Sequence, residues 1–181
     1  PNPKPQPLNV FNIIIKILKL NELHINKKTL KDWNDYLKEA FFLKLEELKK
    51  EKEIDLVVFT GDMIDQAGKD FGSVAAGLQS FKENIIDPVL ATLDLDISKF
   101  IICPGNHDIN RSADKSFLEN GLKSELNSIE SINSFINTDD NDYDGIQRIK
   151  EYKNFEFDLY GEVGNKIHSK FNWFKRTYTT R

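Results

Sequence analysis

Cysteine is nearly absent from this sequence, since Cys103 is the only one among 181 residues. An intrachain disulfide is therefore impossible, and small secreted scaffolds built on several disulfides are excluded. A single free thiol fits a reducing compartment, so we predict a cytoplasmic location.

Long apolar runs are also missing. The run from Ile13 to Leu20 is interrupted by Lys16 and Lys19 and is far shorter than the roughly 20 residues that cross a bilayer. We therefore expect no membrane association. The proline-rich opening lacks the plan of a signal peptide, and we predict a flexible leader over residues 1–10.

The chain has no excess of positive charge, because 25 Lys and Arg residues stand against 29 Asp and Glu residues. Such a chain offers no broad cationic field to a nucleic acid, although a metal-dependent nuclease stays open. Hydrophobic residues make up 39% and charged residues 30%, which indicates a folded globular domain rather than a disordered chain.

Three short apolar runs predict β-strands, at residues 13–20, 54–59 and 100–103. Apolar spacings of three and four predict an amphipathic helix from Thr29 to Leu48, started by a weak capping box of Thr29 and Asp32, and a second helix over about 72–93 that breaks or kinks at Pro88. This alternation predicts an α/β fold with a mainly parallel sheet, buried on both faces and flanked by helices.

Beyond Arg111 the sequence predicts added helices. One or two helices are expected over residues 117–136, an acidic loop over 139–144, and a further helix over about 146–157. We interpret residues 112–181 as a helical insertion or cap region of the same domain.

Polar side chains with metal-ligand chemistry follow each predicted strand. Because the carboxyl ends of parallel strands meet at one edge of a sheet, these side chains should lie close together. Each piece alone is typical of an ordinary turn, but their occurrence after three consecutive strands favours a metal site. The residues are Glu22, His24, Asp62, Asp65, Asn106 and His107.

Two segments resemble the second and third signatures of the calcineurin-like metallophosphoesterases. They are Asp-Leu-Val-Val-Phe-Thr-Gly-Asp-Met-Ile-Asp (55–65) and Ile-Ile-Cys-Pro-Gly-Asn-His-Asp (101–108), and residues 13–111 carry the resemblance. The resemblance implies a four-layer α/β/β/α sandwich, of which residues 11–181 would form the N-terminal part. It also implies hydrolysis of phosphomonoesters or phosphodiesters, with nucleotides or nucleic acid among the substrates.

The resemblance further implies a centre of two divalent metal ions, of Mn, Fe or Zn. Asp62 would bridge both ions, Asn106 would bind the second ion, and His24 matches a ligand histidine of the first signature. His107 would stay outside the metal shell and act on the phosphoryl oxygens or the leaving group, with Asp65 orienting its ring.

The sequence departs from the family pattern in two places. The first signature normally reads Asp-x-His, but Glu22 stands at the first position, and we keep Glu22 as a candidate metal ligand. The later histidine signatures, including Gly-His-x-His, are absent, and after His107 only His168 remains. His168 is predicted to be an ordinary polar residue.

Two explanations of the missing ligands stay open. Either a C-terminal remainder of the domain supplies them, or the chain is a degenerate relative with a binding or regulatory role. A phosphotransferase of the haloacid dehalogenase type would need Asp-x-Asp after the first strand, where this sequence has Asn-Glu-Leu-His (21–24). Arg111 is either a phosphate contact or a surface residue.

Overall fold

The computed structural model describes residues 15–113, 116–137 and 147–165. Strands and helices alternate as far as the third strand, and helices follow it. The elements are β1 (Ile17–Leu20), α1 (Lys27–Asp32), α2 (Lys38–Glu51), β2 (Leu56–Thr60), α3 (Val74–Phe81), α4 (Asp87–Leu93), β3 (Phe100–Cys103), α5 (Ser116–Glu125), α6 (Ile129–Asn137) and α7 (Gln147–Asn165).

The three strands form one parallel sheet in the order β1-β2-β3. Leu18 pairs with Val57, and Phe59 pairs with Ile102. Since parallel strands need crossover connections, the helices between them lie against the sheet. The prediction of an α/β fold with a parallel sheet flanked by helices is therefore confirmed.

The two faces of the sheet differ in burial. Val57, Phe59 and Phe100 are fully buried against the helices, whereas Ile17 is 57% exposed and Ile101 is 45% exposed on the opposite face. The prediction that the strands are buried on both faces is wrong for the described residues, because these residues cover only one face.

The first predicted helix, Thr29 to Leu48, corresponds to α1 and α2 and begins earlier, at Lys27. Asn26 is the N-cap residue of α1: its side-chain oxygen accepts from the amides of Lys28 and Thr29, and the Thr29 hydroxyl accepts from the Asn26 amide. The predicted capping box of Thr29 and Asp32 is thus wrong. Thr29 is the partner in the box rather than its first residue, because the Asn26 amide oxygen reaches two free amides at once.

The second long helix does not end at Pro88. A π-helical turn, Lys82–Ile86, joins α3 to α4, and the amide of Asp87 donates to the carbonyl oxygen of Lys82, five residues earlier. Proline lacks an amide proton and crowds the carbonyl four residues before it. The wider turn accommodates this defect, and the chain is helical from Val74 to Leu93. Of the predicted break or kink at Pro88, the break is therefore wrong, and the helix is widened locally just before the proline.

Helix α7 belongs to the core of the molecule. Tyr152 is fully buried, and Phe155 and Leu159 are nearly so, within the same apolar cluster as the sheet. The Tyr160 hydroxyl donates to the carbonyl of Phe100 (2.8 Å) and accepts from the amide of Ile102 (3.3 Å). It thereby pairs two backbone groups of β3, an edge strand of the described sheet.

Several predictions fall on residues outside those described. They are the leader over residues 1–10, the acidic loop over 139–144 and the role of His168. Among the described residues, no helix has the length and apolar character needed to cross a membrane.

Candidate metal centre

The turn after β1 is held beside the turn after β2 by backbone hydrogen bonds. The amide of Glu22 donates to the carbonyl of Gly61 (3.2 Å), and the amide of His24 donates to the carbonyl of Asp62 (2.9 Å). Ile25 continues this ladder as a parallel bridge to Ile64. The two strand ends therefore run on together past the sheet, which places His24 next to Asp62.

Backbone strain is concentrated at this edge of the sheet. Six described non-glycine residues have positive φ, and five of them lie in the turns after β1 and β2, the sixth being Asp94 at the end of α4. A non-glycine residue in this conformation costs of order 1–3 kcal/mol and persists where the surrounding structure enforces it, often at functional sites. The five are Glu22, His24, Asp62, Gln66 and Ala67.

Three side chains from three different strand ends come together here. One potential ligand atom from each of His24, Asp62 and His107 lies within 4.8 Å of the other two. Nε2 of His24 is 3.8 Å from Oδ2 of Asp62, and the two imidazole rings meet edge to face at 4.8 Å between centroids. Nitrogen and carboxylate donors of this kind suit Mn, Fe or Zn, so His24 and Asp62 fit a divalent metal ion, with the His107 ring beside them.

Asp62 also joins the turn after β2 to the turn after β3. Its Oδ1 atom accepts the backbone amide of His107 at 3.0 Å, which leaves Oδ2 facing His24. A Cβ atom at position 105 would lie 2.1 Å from Oδ1 of Asp62 and 2.3 Å from its amide nitrogen. Only glycine therefore lets the two turns approach closely enough for this contact.

The ring of His107 is held through its Nδ1 atom. The amide of Gln66 donates to Nδ1 at 3.2 Å, and Oδ1 of Asp65 also lies 3.2 Å from it. Asp65 is itself held, since its Oδ2 accepts from the side-chain amide of Asn26 at 3.3 Å. The two partners need different proton placements on Nδ1: the Gln66 amide donates to a bare Nδ1, whereas Asp65 accepts from an Nδ1 that carries a proton. In the neutral ring that accepts from Gln66, and in the doubly protonated ring that donates to Asp65, Nε2 carries a proton and is a hydrogen-bond donor.

Asp108 has a positioning role that the sequence prediction missed. Its side chain is fully buried, with Oδ1 accepting the amide of Ile64 (3.0 Å) and Oδ2 the amide of Gly105 (2.8 Å). Burial raises the pKa of this carboxyl above its ordinary value, while the two amide hydrogen bonds oppose the rise. Asp108 is the last residue of Gly-Asn-His-Asp (105–108), so the sequence did place a carboxylate here. Sequence alone does not distinguish a carboxylate that joins two loops from one that binds a metal.

Glu22 and Asn106, the other two predicted metal ligands, are placed differently. Glu22 is exposed, and it is not among the described carboxylates and imidazoles that cluster around Asp62. Asn106 is also exposed and lines a cavity that it shares with His107. The structure thus brings His24 and Asp62 together and leaves Glu22 outside the described cluster, and the metal-binding roles of Glu22 and Asn106 are still predictions.

Comparison with known proteins identifies the family to which this site belongs. A family model described as Calcineurin-like phosphoesterase matches residues 15–180. No curated protein and no solved structure matches the chain. The family is one of phosphoesterases that are generally hydrolases using divalent metals, in agreement with the histidine and aspartate cluster. The family match extends over most of the sequence, so the chain belongs to the calcineurin-like phosphoesterase family.

Proposed function

We propose that this chain is the catalytic part of a metal-dependent phosphoesterase that hydrolyses phosphomonoester or phosphodiester bonds at a two-metal centre. The observation that carries the proposal is the convergence of His24, Asp62 and His107 from three separate strand ends. Exposed acidic residues often cluster without a ligand, but here two imidazoles are included and the backbone is strained around them. That combination supports a built site.

The proposed metal ligands are His24 and Asp62, with Glu22 and Asn106 as further candidates. When bound, a pair of divalent ions supplies positive charge to the phosphoryl oxygens and lowers the pKa of a coordinated water. The partly exposed side chains of His24 and Asp62, at 38% and 19%, keep the donors accessible. Asp62 is also preorganised, because its Oδ1 is already fixed by the His107 amide.

His107 is proposed as the proton donor. As a proton donor His107 is doubly protonated: its Nδ1–H donates to Asp65, which lies 3.2 Å away, and its Nε2–H is the atom presented to a substrate. A donor in this position stabilises charge on a phosphoryl oxygen or protonates the leaving oxygen, which is worth about 10²–10⁴-fold in rate. Asp65 is then a positioning residue that acts through His107.

The exposure of Glu22 favours one second candidate, a degenerate member of the family with a binding or regulatory role. If the Glu22 carboxylate stays outside the cluster, one of the two metal ions loses a ligand and binds more weakly. Such a module would keep the fold and bind metal, but it would not turn over substrate.

The test measures Mn²⁺ binding by calorimetry, and hydrolysis of p-nitrophenyl phosphate and bis(p-nitrophenyl) phosphate, on the whole chain. Asp62→Asn should abolish both, whereas His107→Gln should keep Mn²⁺ binding and lower turnover by about 10²-fold or more. Asp70→Asn is the matched control, since Asp70 is exposed and outside the cluster. Activity that survives Asp62→Asn would contradict the mechanism. Metal binding without turnover, both in this chain and in a longer parent that carries a C-terminal remainder, would favour the degenerate module.

A further inference from the structure

A cavity of about 270 Å³ opens beside the metal centre. Gln66, Ala67 and residues of the 106–112 loop line it, and His107 belongs both to the cluster and to the cavity. A substrate in this cavity would therefore lie against the proposed proton donor. Its volume falls just below the roughly 300–1,000 Å³ of sites that hold drug-sized ligands.

Arg111 supplies the positive charge of this cavity. Its Nε atom donates to the carbonyl oxygen of Asn106 at 3.0 Å, a contact that fixes the guanidinium on the wall shared with His107. No carboxylate of the described ranges forms an ion pair with Arg111. The two terminal amino groups of the guanidinium therefore have no anionic partner in the described part of the chain, and they match the geometry of a phosphate.

The remaining lining residues define what else the cavity can accept. None of the eight described lining residues is Asp or Glu, so an anion meets no like charge on the wall. None is Phe, Tyr or Trp, and the aromatic or guanidinium faces among the described lining residues are those of His107 and Arg111. Both faces could stack on a nucleobase, but the proton donor and the phosphate would already use them. Amide and hydroxyl groups, such as those of Gln66 and Ser112, provide donors and acceptors for a polar group instead.

We propose that Arg111 is the phosphate-binding residue of this cavity and that the cavity accepts a small, non-aromatic phosphomonoester. The inference deepens the proposed function and rests on it for the reaction, but the anion site itself depends only on Arg111 and the cavity wall. Arg111 donates hydrogen bonds to the phosphoryl oxygens, while the organic part of the ester occupies the space between Gln66 and Ser112.

The experiment titrates inorganic phosphate into the whole chain by calorimetry, once with Mn²⁺ and once with EDTA. Arg111→Gln should weaken phosphate binding by about tenfold or more, and Arg111→Lys should give an intermediate loss, because lysine keeps the charge without the two-pronged geometry. Lys99→Gln is the matched control: it removes one positive charge at the opposite end of β3 and should change the affinity by less than about twofold.

The outcomes separate this inference from the proposed function. Unchanged phosphate affinity in Arg111→Gln, with Mn²⁺ binding intact, would overturn the Arg111 site alone. Absence of Mn²⁺ binding in the parent chain, with an Arg111-dependent phosphate affinity, would contradict the metal mechanism and still support the anion site.

Substrate size is tested by replacing phosphate with glycerol 3-phosphate and with adenosine 5′-monophosphate. Glycerol 3-phosphate should bind at least as tightly as inorganic phosphate, and the nucleotide should gain nothing from its base. A nucleotide that binds about tenfold more tightly than glycerol 3-phosphate would overturn the assignment to small non-aromatic esters.

Discussion

The turn after β1 is held differently from the pair of turns after β2 and β3. The first turn is fixed to its neighbour by backbone bonds and, at its far end, by the side-chain amide of Asn26 donating to Asp65, and the side chain of Glu22 is exposed. The other two turns are joined through side chains as well: Asp62 accepts the His107 amide, and Asp108 accepts the amides of Ile64 and Gly105. The rigid half of the site is therefore the pair of turns after β2 and β3, with His24 added from the side.

Gly105→Ala should have the largest effect, because it removes the close contact between the turns after β2 and β3. The added methyl group would meet Oδ1 of Asp62 at 2.1 Å, so the two turns must separate, and the free energy of unfolding should fall by about 3 kcal/mol. Mn²⁺ binding should be lost together with the Asp62 contact. Urea unfolding and calorimetry measure the two effects.

The control for that substitution is Gly121→Ala, because a Cβ atom at Gly121 meets nothing within 4 Å. In helix α5 this change should leave stability unchanged or raise it by up to about 1 kcal/mol. A Gly105→Ala variant as stable as Gly121→Ala would show that the close approach of the turns is not required.

Asp108→Asn should have the next largest effect. The asparagine can accept one of the two backbone amides but turns its own NH₂ group towards the other, so stability should fall by about 2 kcal/mol at neutral pH. Asp70→Asn, at an exposed position, should leave the urea midpoint unchanged. A neutral result for Asp108→Asn would mean that the two turns are held together without this carboxylate.

The loss of stability in Asp108→Asn should depend on pH. Burial raises the pKa of Asp108 above its ordinary 3.8, so the native carboxyl binds its proton more tightly than the unfolded one. Its contribution to the free energy of unfolding is therefore greatest at low pH and declines as pH rises above 3.8 through the raised pKa. The stability difference between parent and Asp108→Asn should shrink over that range, and a difference that grows with pH would contradict the sign.

The smallest expected effects concern the turn after β1 and sharpen the comparison. His24→Gln should weaken Mn²⁺ binding by about tenfold, equivalent to about 1.4 kcal/mol, because His24 lies 3.8 Å from Asp62. Glu22→Gln should change it by about twofold or less, since Glu22 is outside the cluster. If both variants lose affinity equally, the first turn supplies two ligands and is as well organised as the others.

Much of the fold could be predicted from local patterns, and the exceptions have identifiable causes. β3 has the predicted bounds, Phe100–Cys103, because an apolar run ended by Pro-Gly allows few alternatives. The helix continues past Pro88 because a π-helical turn accommodates the residue that lacks an amide proton. The spacing of apolar residues does not predict such a turn. The exposed face of the sheet was mispredicted because burial depends on what packs there, not on the strand's own residues.

The residue types of the candidate site were readable from the chain, since Gly-Asp and Gly-Asn-His-Asp follow apolar runs that end at one edge of a parallel sheet. Which of these groups meet was decided by the tertiary structure. His24 joined Asp62 and His107, Glu22 did not, and Asp108 became a buried link between two turns. The physical reason is that distances between turns depend on close backbone approach, here at Gly105 beside Asp62, and such contacts between residues more than 40 positions apart leave no periodic signal in the sequence.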